Sequence, residues 1–226
     1  MTSREETLTR IKGSLRTGVL PAATPIDQAA TSTPESERAA LLAAFVREAQ
    51  TGGGEVCQPA SSEEAIALVL KVILEADRRL LAWPSEELPL AGIGAALQRE
   101  GIHCITALPP NDAATRRAQW ANLDPIKVGL TGALAGVADT GSIVLQSGPN
   151  RPRAASLLPE THIALLPGDR LYPSMASFFD THSARQLTQN SINLVFITGP
   201  SRTADIEMII TRGVHGPRRL CVVLLP

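Results

Sequence analysis

A chain of 226 residues with 44% hydrophobic content is long enough to bury one large core. Its 21 basic and 22 acidic side chains and 3% aromatics supply neither a field that gathers nucleic acid or anionic membrane nor exposed rings on which bases stack. The apolar runs, such as Ala39 to Val46 and Ile66 to Leu74, fall far short of the roughly 20 residues that cross a bilayer, so no nucleic-acid partner and no membrane span is expected.

Leu8, Ile11 and Leu15 share one helical face between Arg4 and Arg16, which predicts a short amphipathic helix. Glu5 and Glu6 and the lack of an unbroken apolar centre in Met1 to Leu20 make it neither a secretory signal nor a transit peptide. The expected compartment is the cytosol. Pro21 to Ser36 has linker composition, which divides the chain into a helix with linker over 1–35 and a main domain over 36–226.

Alternating helices and apolar runs follow. Pro34, the face of Leu41, Leu42, Phe45 and Val46, and the stop at Gly52 to Gly54 outline one helix. Ser61 with Glu64 is a capping box that opens the next, which explains Ser61 and Ser62 without a nucleophile. Leu80 to Trp83 and Ile102 to Thr106 read as buried strands around a helix through Ala95, Leu97 and Gln98. Gly92-Ile-Gly-Ala-Ala-Leu97 lacks the third glycine of a dinucleotide fingerprint and lies in a helical pattern.

Further strands are expected at Lys127 to Thr131, Ser142 to Gln146, His162 to Leu166, Leu194 to Thr198 and Leu220 to Leu224. Helices are expected around Pro110 to Gln119, Pro173 to Thr181 and Ala204 to Thr211. The alternation predicts an α/β fold: three layers, α/β/α, with a mostly parallel sheet covered on both faces.

In such a sheet, ligands bind beyond the carboxyl ends of the strands, and three segments carry suitable chemistry. In Gly129 to Ser142, a strand ending at Thr131 is followed by a short helix of small residues and the turn Asp139-Thr-Gly-Ser142. There Thr140, Gly141 and Ser142 can grip an anionic or hydroxylated ligand, with Asp139 as acceptor or base. The same residues also suit a plain tight turn.

In Thr198 to Glu207, Gly199 lets the backbone approach closely, Ser201 or Thr203 can cap a following helix, and Arg202 can hold a carboxylate or phosphate. Asp205 is a candidate acid or base, although its position near a helix start would explain it equally well. In Gly213-Val-His-Gly-Pro217, His215 beside Gly216 is the candidate proton carrier. His103 and His162 read as core-edge residues. Cys57, Cys104 and Cys221 are widely separated and lack a CxxC pair, so they read as small buried hydrophobes rather than zinc ligands or disulfides.

Five stretches resemble the LUD-domain family, more narrowly its LutC-type members encoded with lactate-utilisation operons. They are Val128-Gly-Leu-Thr131, Ala138-Asp-Thr-Gly-Ser-Ile-Val-Leu145, Ser156-Leu-Leu-Pro-Glu-Thr-His-Ile163, Gly199-Pro-Ser-Arg-Thr-Ala-Asp-Ile-Glu207 and Gly213-Val-His-Gly-Pro217. The resemblance implies a LUD-type domain over 36–226, with a fold similar to the NagB/RpiA/CoA-transferase-like superfamily.

It also implies a non-redox subunit that supports oxidation of L-lactate to pyruvate beside LutA-like and LutB-like iron–sulfur proteins. The clusters would sit on those partners and no cofactor on this chain, which has no ferredoxin-like cysteine motif. Family members often carry Glu where this chain has Asp139, one methylene shorter. The alternative is a free-standing enzyme acting on a phosphorylated or CoA-linked small molecule, with His215 or Asp205 as acid/base and Arg202 as anion clamp.

Overall fold

The computed structural model describes residues 3–17, 35–76, 78–107, 113–123, 125–183, 186–187, 193–204 and 210–226. The chain divides into two units, Met1–Ala30 and Thr31–Pro226. In the first, the spacing of Leu8, Ile11 and Leu15 is realised as α1 (Ser3–Thr17). Most of the expected linker lies outside the described residues.

The second unit begins with α2 (Glu35–Thr51), which buries Phe45 and Ala49. It ends in a Schellman arrangement: Gly53 N–H donates to Gln50 O and Gly54 N–H to Ala49 O, at 2.8 and 2.9 Å. After β1 (Glu55–Cys57) comes α3 (Ser62–Ala76). Its capping box is present: Glu64 N–H donates to Ser61 Oγ at 3.2 Å, and the Glu64 carboxylate accepts from Ala60 N–H at 2.7 Å. β2 (Arg79–Ala82), α4 (Ile93–Arg99), β3 (His103–Ile105), α5 (Ala113–Leu123) and β4 (Val128–Gly132) continue the alternation. Gly92 precedes α4 rather than following a strand, so no dinucleotide loop exists there.

Beyond β4 the pattern departs from a simple α/β repeat. The small-residue run expected as a helix is instead β5 (Ala135–Val137), which turns through Gly141 into β6 (Ser142–Ser147). Then come α6 (Ala154–Leu157), β7 (Thr161–Pro167), β8 (Leu171–Tyr172), α7 (Met175–Thr181) and β9 (Asn193–Ile197). The helix expected at Ala204 to Thr211 is not formed by the residues flanking its centre. β10 (Arg202–Ala204) pairs antiparallel with β11 (Ile210–Arg212), and 205–209 lie outside the described residues. The run Ile206 to Thr211 is rich in β-branched residues, which favour a ladder over a helix. β12 (Arg219–Leu225) closes the fold.

Six strands form one parallel sheet in the order β1-β12-β7-β4-β2-β3. Nearly every residue of β4, β7 and β12 is buried, as expected for strands covered on both faces. Register puts Leu81, Gly129, His162 and Leu220 in one row across the sheet, and Ala82, Leu130, Ile163 and Cys221 in a row on the opposite face. α3 and α4 cover the second face, where Val69 borders one hollow with Ile163 and Cys221, and Leu97 another with Ala82.

α6 and α2 lie on the first face, with a second sheet in the order β8-β5-β6-β9. β6 and β9, expected in the main sheet, therefore belong to a separate and mostly antiparallel one. Ile143 and Leu145 of β6 face the main core. Val144 faces a cluster of Ala135, Val137, Phe178 and Leu187.

The cysteine expectation needs correction: only Cys221 is buried, Cys57 is half-buried and Cys104 exposed. Cys57 and Cys104 sit on β1 and β3, the two edges of the sheet, where one side has no neighbouring strand. Burial pushes the Cys221 thiol up to about 12, far from the range of a reactive thiolate.

Candidate functional site

Two of the expected turns are carried on the end of α2. Gly141 has φ +61°, and a Cβ there would come within 2.1 Å of Ala49 N. Gly199 has φ +76°, and its Cβ would approach Gly52 O to 2.3 Å. Both positions need glycine for backbone conformation and for close approach at once. Arg202 Nη2 donates to Gly52 O at 2.6 Å, a cation on the carbonyl end of a helix. α2 therefore holds the first turn against its Glu48–Ala49 peptide and the second against Gly52 O just beyond its end.

The first and second turns are also joined by hydroxyls. Ser142 Oγ donates to Thr140 Oγ1 at 2.8 Å and lies 2.6 Å from Thr198 Oγ1. A hydroxyl has one proton, so Thr198 is the donor to Ser142. The second and third turns are tied by backbone bonds: Ser201 N–H donates to Pro217 O at 2.8 Å, and Gly213 N–H to Ser201 O at 3.0 Å.

These connections enclose a cavity of about 470 Å³, within the range for drug-sized ligands. Gly199, Ser201, Arg202, His215 and Gly216 all line it. Thr140, Gly141 and Ser142 do not; the Thr140 and Ser142 hydroxyls continue the hydrogen-bonded chain behind Thr198. Asp139 is exposed and away from the cavity, its N–H donating to Pro173 O at 3.1 Å. The Thr203 side chain and Asp205 lie outside the described residues, and Thr203 caps no helix because its main chain pairs with Thr211.

The position on the sheet differs from expectation. Ser156 and Leu157 precede β7, His215 to Pro217 precede β12, and His162 and Leu220 are second residues of those strands. The cavity is thus at the amino ends of the parallel strands. It exists there because β9 and the turns after it arch over that rim.

His162 is the residue that sequence reading misplaced. It is 1% exposed, in the middle of the sheet, and it forms part of the cavity wall. Its Nε2 lies 2.8 Å from Thr131 Oγ1, which gives expected residue Thr131 a place one layer behind the cavity. Burial lowers its pKa to about 3, so the imidazole is neutral and serves as a hydrogen-bonding group rather than a cation. A signal was available: a His inside a continuous apolar strand needs a buried partner, and Thr131 is a polar residue in an equally apolar strand.

The remaining wall is mixed. Leu157, Phe196, Ile197 and Leu220 are apolar, while Ser156, Thr198 and Ser201 add hydroxyls. Such a surface suits a ligand with an anionic end near Arg202 and an apolar body. Among the described residues, no group of three or more His, Cys, Asp or Glu converges as metal ligands.

Comparison with known proteins agrees with the fold and the motifs. Lactate utilization protein C of Halalkalibacterium halodurans is 32% identical over 167 residues, 72% of this chain and 68% of that protein. Its namesake from Bacillus subtilis is 34% identical over 147 residues, 63% of this chain and 53% of that one. The crystal structure of a DUF162 family protein from Deinococcus radiodurans superposes with a TM-score of 0.59 at 24% identity, covering 84% of this chain and 98% of its own. The LUD domain model matches residues 42–225, which takes in both sheets and all three turns, and the chain belongs to the LUD-domain family.

Proposed function

We propose that this protein is a non-redox subunit of a lactate-utilisation system, supporting oxidation of L-lactate to pyruvate beside iron–sulfur partner proteins. We propose further that it holds an anionic ligand in the cavity at the amino ends of β7 and β12. The observation that carries the pathway is the similarity to proteins named lactate utilization protein C over most of the chain. The support for the ligand is the cavity itself, where Arg202, His215, three hydroxyls and the neutral His162 face one space.

Each group has a role in that reading. Arg202 holds the anionic end while Gly52 O fixes its position. His162, set by Thr131, offers one hydrogen bond of fixed direction from the inner wall. His215, exposed at the mouth, is placed to exchange a proton with the ligand. The apolar side holds the ligand body. Electrons pass to the clusters of the partners in this reading, since the chain carries no ferredoxin-like cysteine motif.

Deletion of the gene in its own host tests the pathway, with growth on L-lactate as the readout. Growth should fail, and tagged protein should co-purify with two cysteine-rich partners. Normal growth on L-lactate in a strain without a paralogue would overturn the reading.

A further inference from the structure

We propose that the protein has a second binding site, for a small monocarboxylate, in a cleft at the opposite end of the parallel sheet. Trp83, Glu87, Gly132, Gln146, Arg151 and Arg170 line a space of about 80 Å³ there, and none of them belongs to the cavity described above. Trp83 follows β2 directly, Gly132 ends β4, and Arg170 comes three residues after β7. These are carboxyl ends, where parallel sheets present loop side chains to ligands.

The charges select an anion. Two guanidinium groups and one carboxylate leave the cleft a net +1. Arg151 Nε stands 3.7 Å from Glu87 Oε2, a charge contact longer than a hydrogen bond. Arg170 makes no ion pair among the described residues. Its main chain is held on both sides, since its N–H donates to Pro167 O at 3.0 Å and its carbonyl accepts from Gly136 N–H at 2.9 Å. The guanidinium is thereby carried on a fixed base.

The uncharged walls are fixed as well. Trp83 Nε1 donates to Pro152 O at 3.1 Å, and Gln146 Nε2 to Leu187 O at 2.9 Å. With those donors engaged, the ring and the amide hold their positions, and the Gln146 carbonyl oxygen is left to accept from a ligand hydroxyl.

Size narrows the class. One water-sized group takes about 10–15 Å³ of such space, so the cleft admits on the order of five to eight heavy atoms. A carboxylate with one to three further carbons fits this space. A single net positive charge also suits a monoanion better than a phosphate dianion. The inference uses no residue of the cavity and does not depend on the lactate-utilisation reading.

The test is a titration of the full chain with acetate, pyruvate, L-lactate and inorganic phosphate, followed by amide and indole NMR. Pyruvate and L-lactate should saturate in the range of about 1–10 mM and shift the Trp83 indole and Gly132 amide while sparing Gly199 and Gly216. Replacing the exposed Arg170 by Gln should weaken binding about tenfold, and Arg151→Lys should weaken it several-fold through loss of the planar fork. Three results would each overturn the proposal: no saturation below about 50 mM, tighter binding of phosphate than of every carboxylate, or shifts confined to Gly199 and Gly216.

Discussion

The amino ends of β7 and β12 hold a cavity of about 470 Å³ with one guanidinium, two imidazoles and a wall that mixes apolar side chains with hydroxyls. The carboxyl ends of β2 and β4 hold a cleft of about 80 Å³ with two guanidiniums and a carboxylate. The cleft is where the parallel sheet alone would place a ligand. The cavity is where added structure makes one: β9, the turn at Gly199 and the turn at His215 roof over strand ends that would otherwise be open. The parallel sheet thus shapes one hollow, and the second sheet with its turns shapes another of different size and charge.

The comparison can be broken most strongly at Gly141. If the cavity depends on turns docked to the end of α2, Gly141→Ala should destabilise the protein by about 3 kcal/mol, because a positive φ and a backbone clash with Ala49 coincide. Chemical denaturation measures this, and a change below about 0.5 kcal/mol would show that the docking is not required.

A second test separates the two regions by pH. His162, with its folded pKa lowered to about 3, takes a proton more readily in the unfolded chain, near 6.5. The unfolded state therefore binds more protons between these values, so stability is unchanged above pH 6.5 and falls as pH drops below it. The expected loss is about 2 kcal/mol between pH 7 and pH 5, from 1.36 kcal/mol per pKa unit. Denaturant midpoints at the two values check it, with His162→Asn reducing the slope. A flat profile would place a charged or solvated imidazole in the cavity.

The smallest effect is expected in the cleft. Glu87→Gln removes the charge 3.7 Å from Arg151 and should tighten carboxylate binding about two- to fivefold, measured by the same NMR titration. Weaker binding in this variant would mean that Glu87 orients Arg151 rather than opposing the ligand.

Much of this was legible in the sequence, for identifiable reasons. Continuous Val, Ile and Leu runs gave β7 and β12, because strands buried on both faces leave no alternation to misread. The Ser61–Glu64 pair marked the start of α3 because its hydrogen bonds are local. The division into two sheets was not legible, since a short apolar segment such as Asn193–Ile197 reads alike in either sheet, and only long-range pairing with β6 decides. Small residues in Ala135–Val137 carried no period at all.

At the site, the turns at Gly199 and Gly213 were visible as glycine-rich punctuation, and they do meet at one cavity. Asp139 looked equally suitable but is exposed, and Thr140 is bonded to Ser142 behind the cavity rather than lining it. His162 was overlooked because burial, which is not written in one strand's sequence, turned a residue assigned to the core edge into part of the cavity wall.

If the cavity anchored by Arg202 is what supports lactate utilisation, losing that guanidinium should stop growth on L-lactate. A strain of the native host lacking the gene, complemented with wild-type or Arg202→Ala protein at equal levels and with melting temperatures compared, tests it on L-lactate as sole carbon source. Growth is expected with the wild type, and little or none with a folded Arg202→Ala protein. Equal growth with both would contradict it.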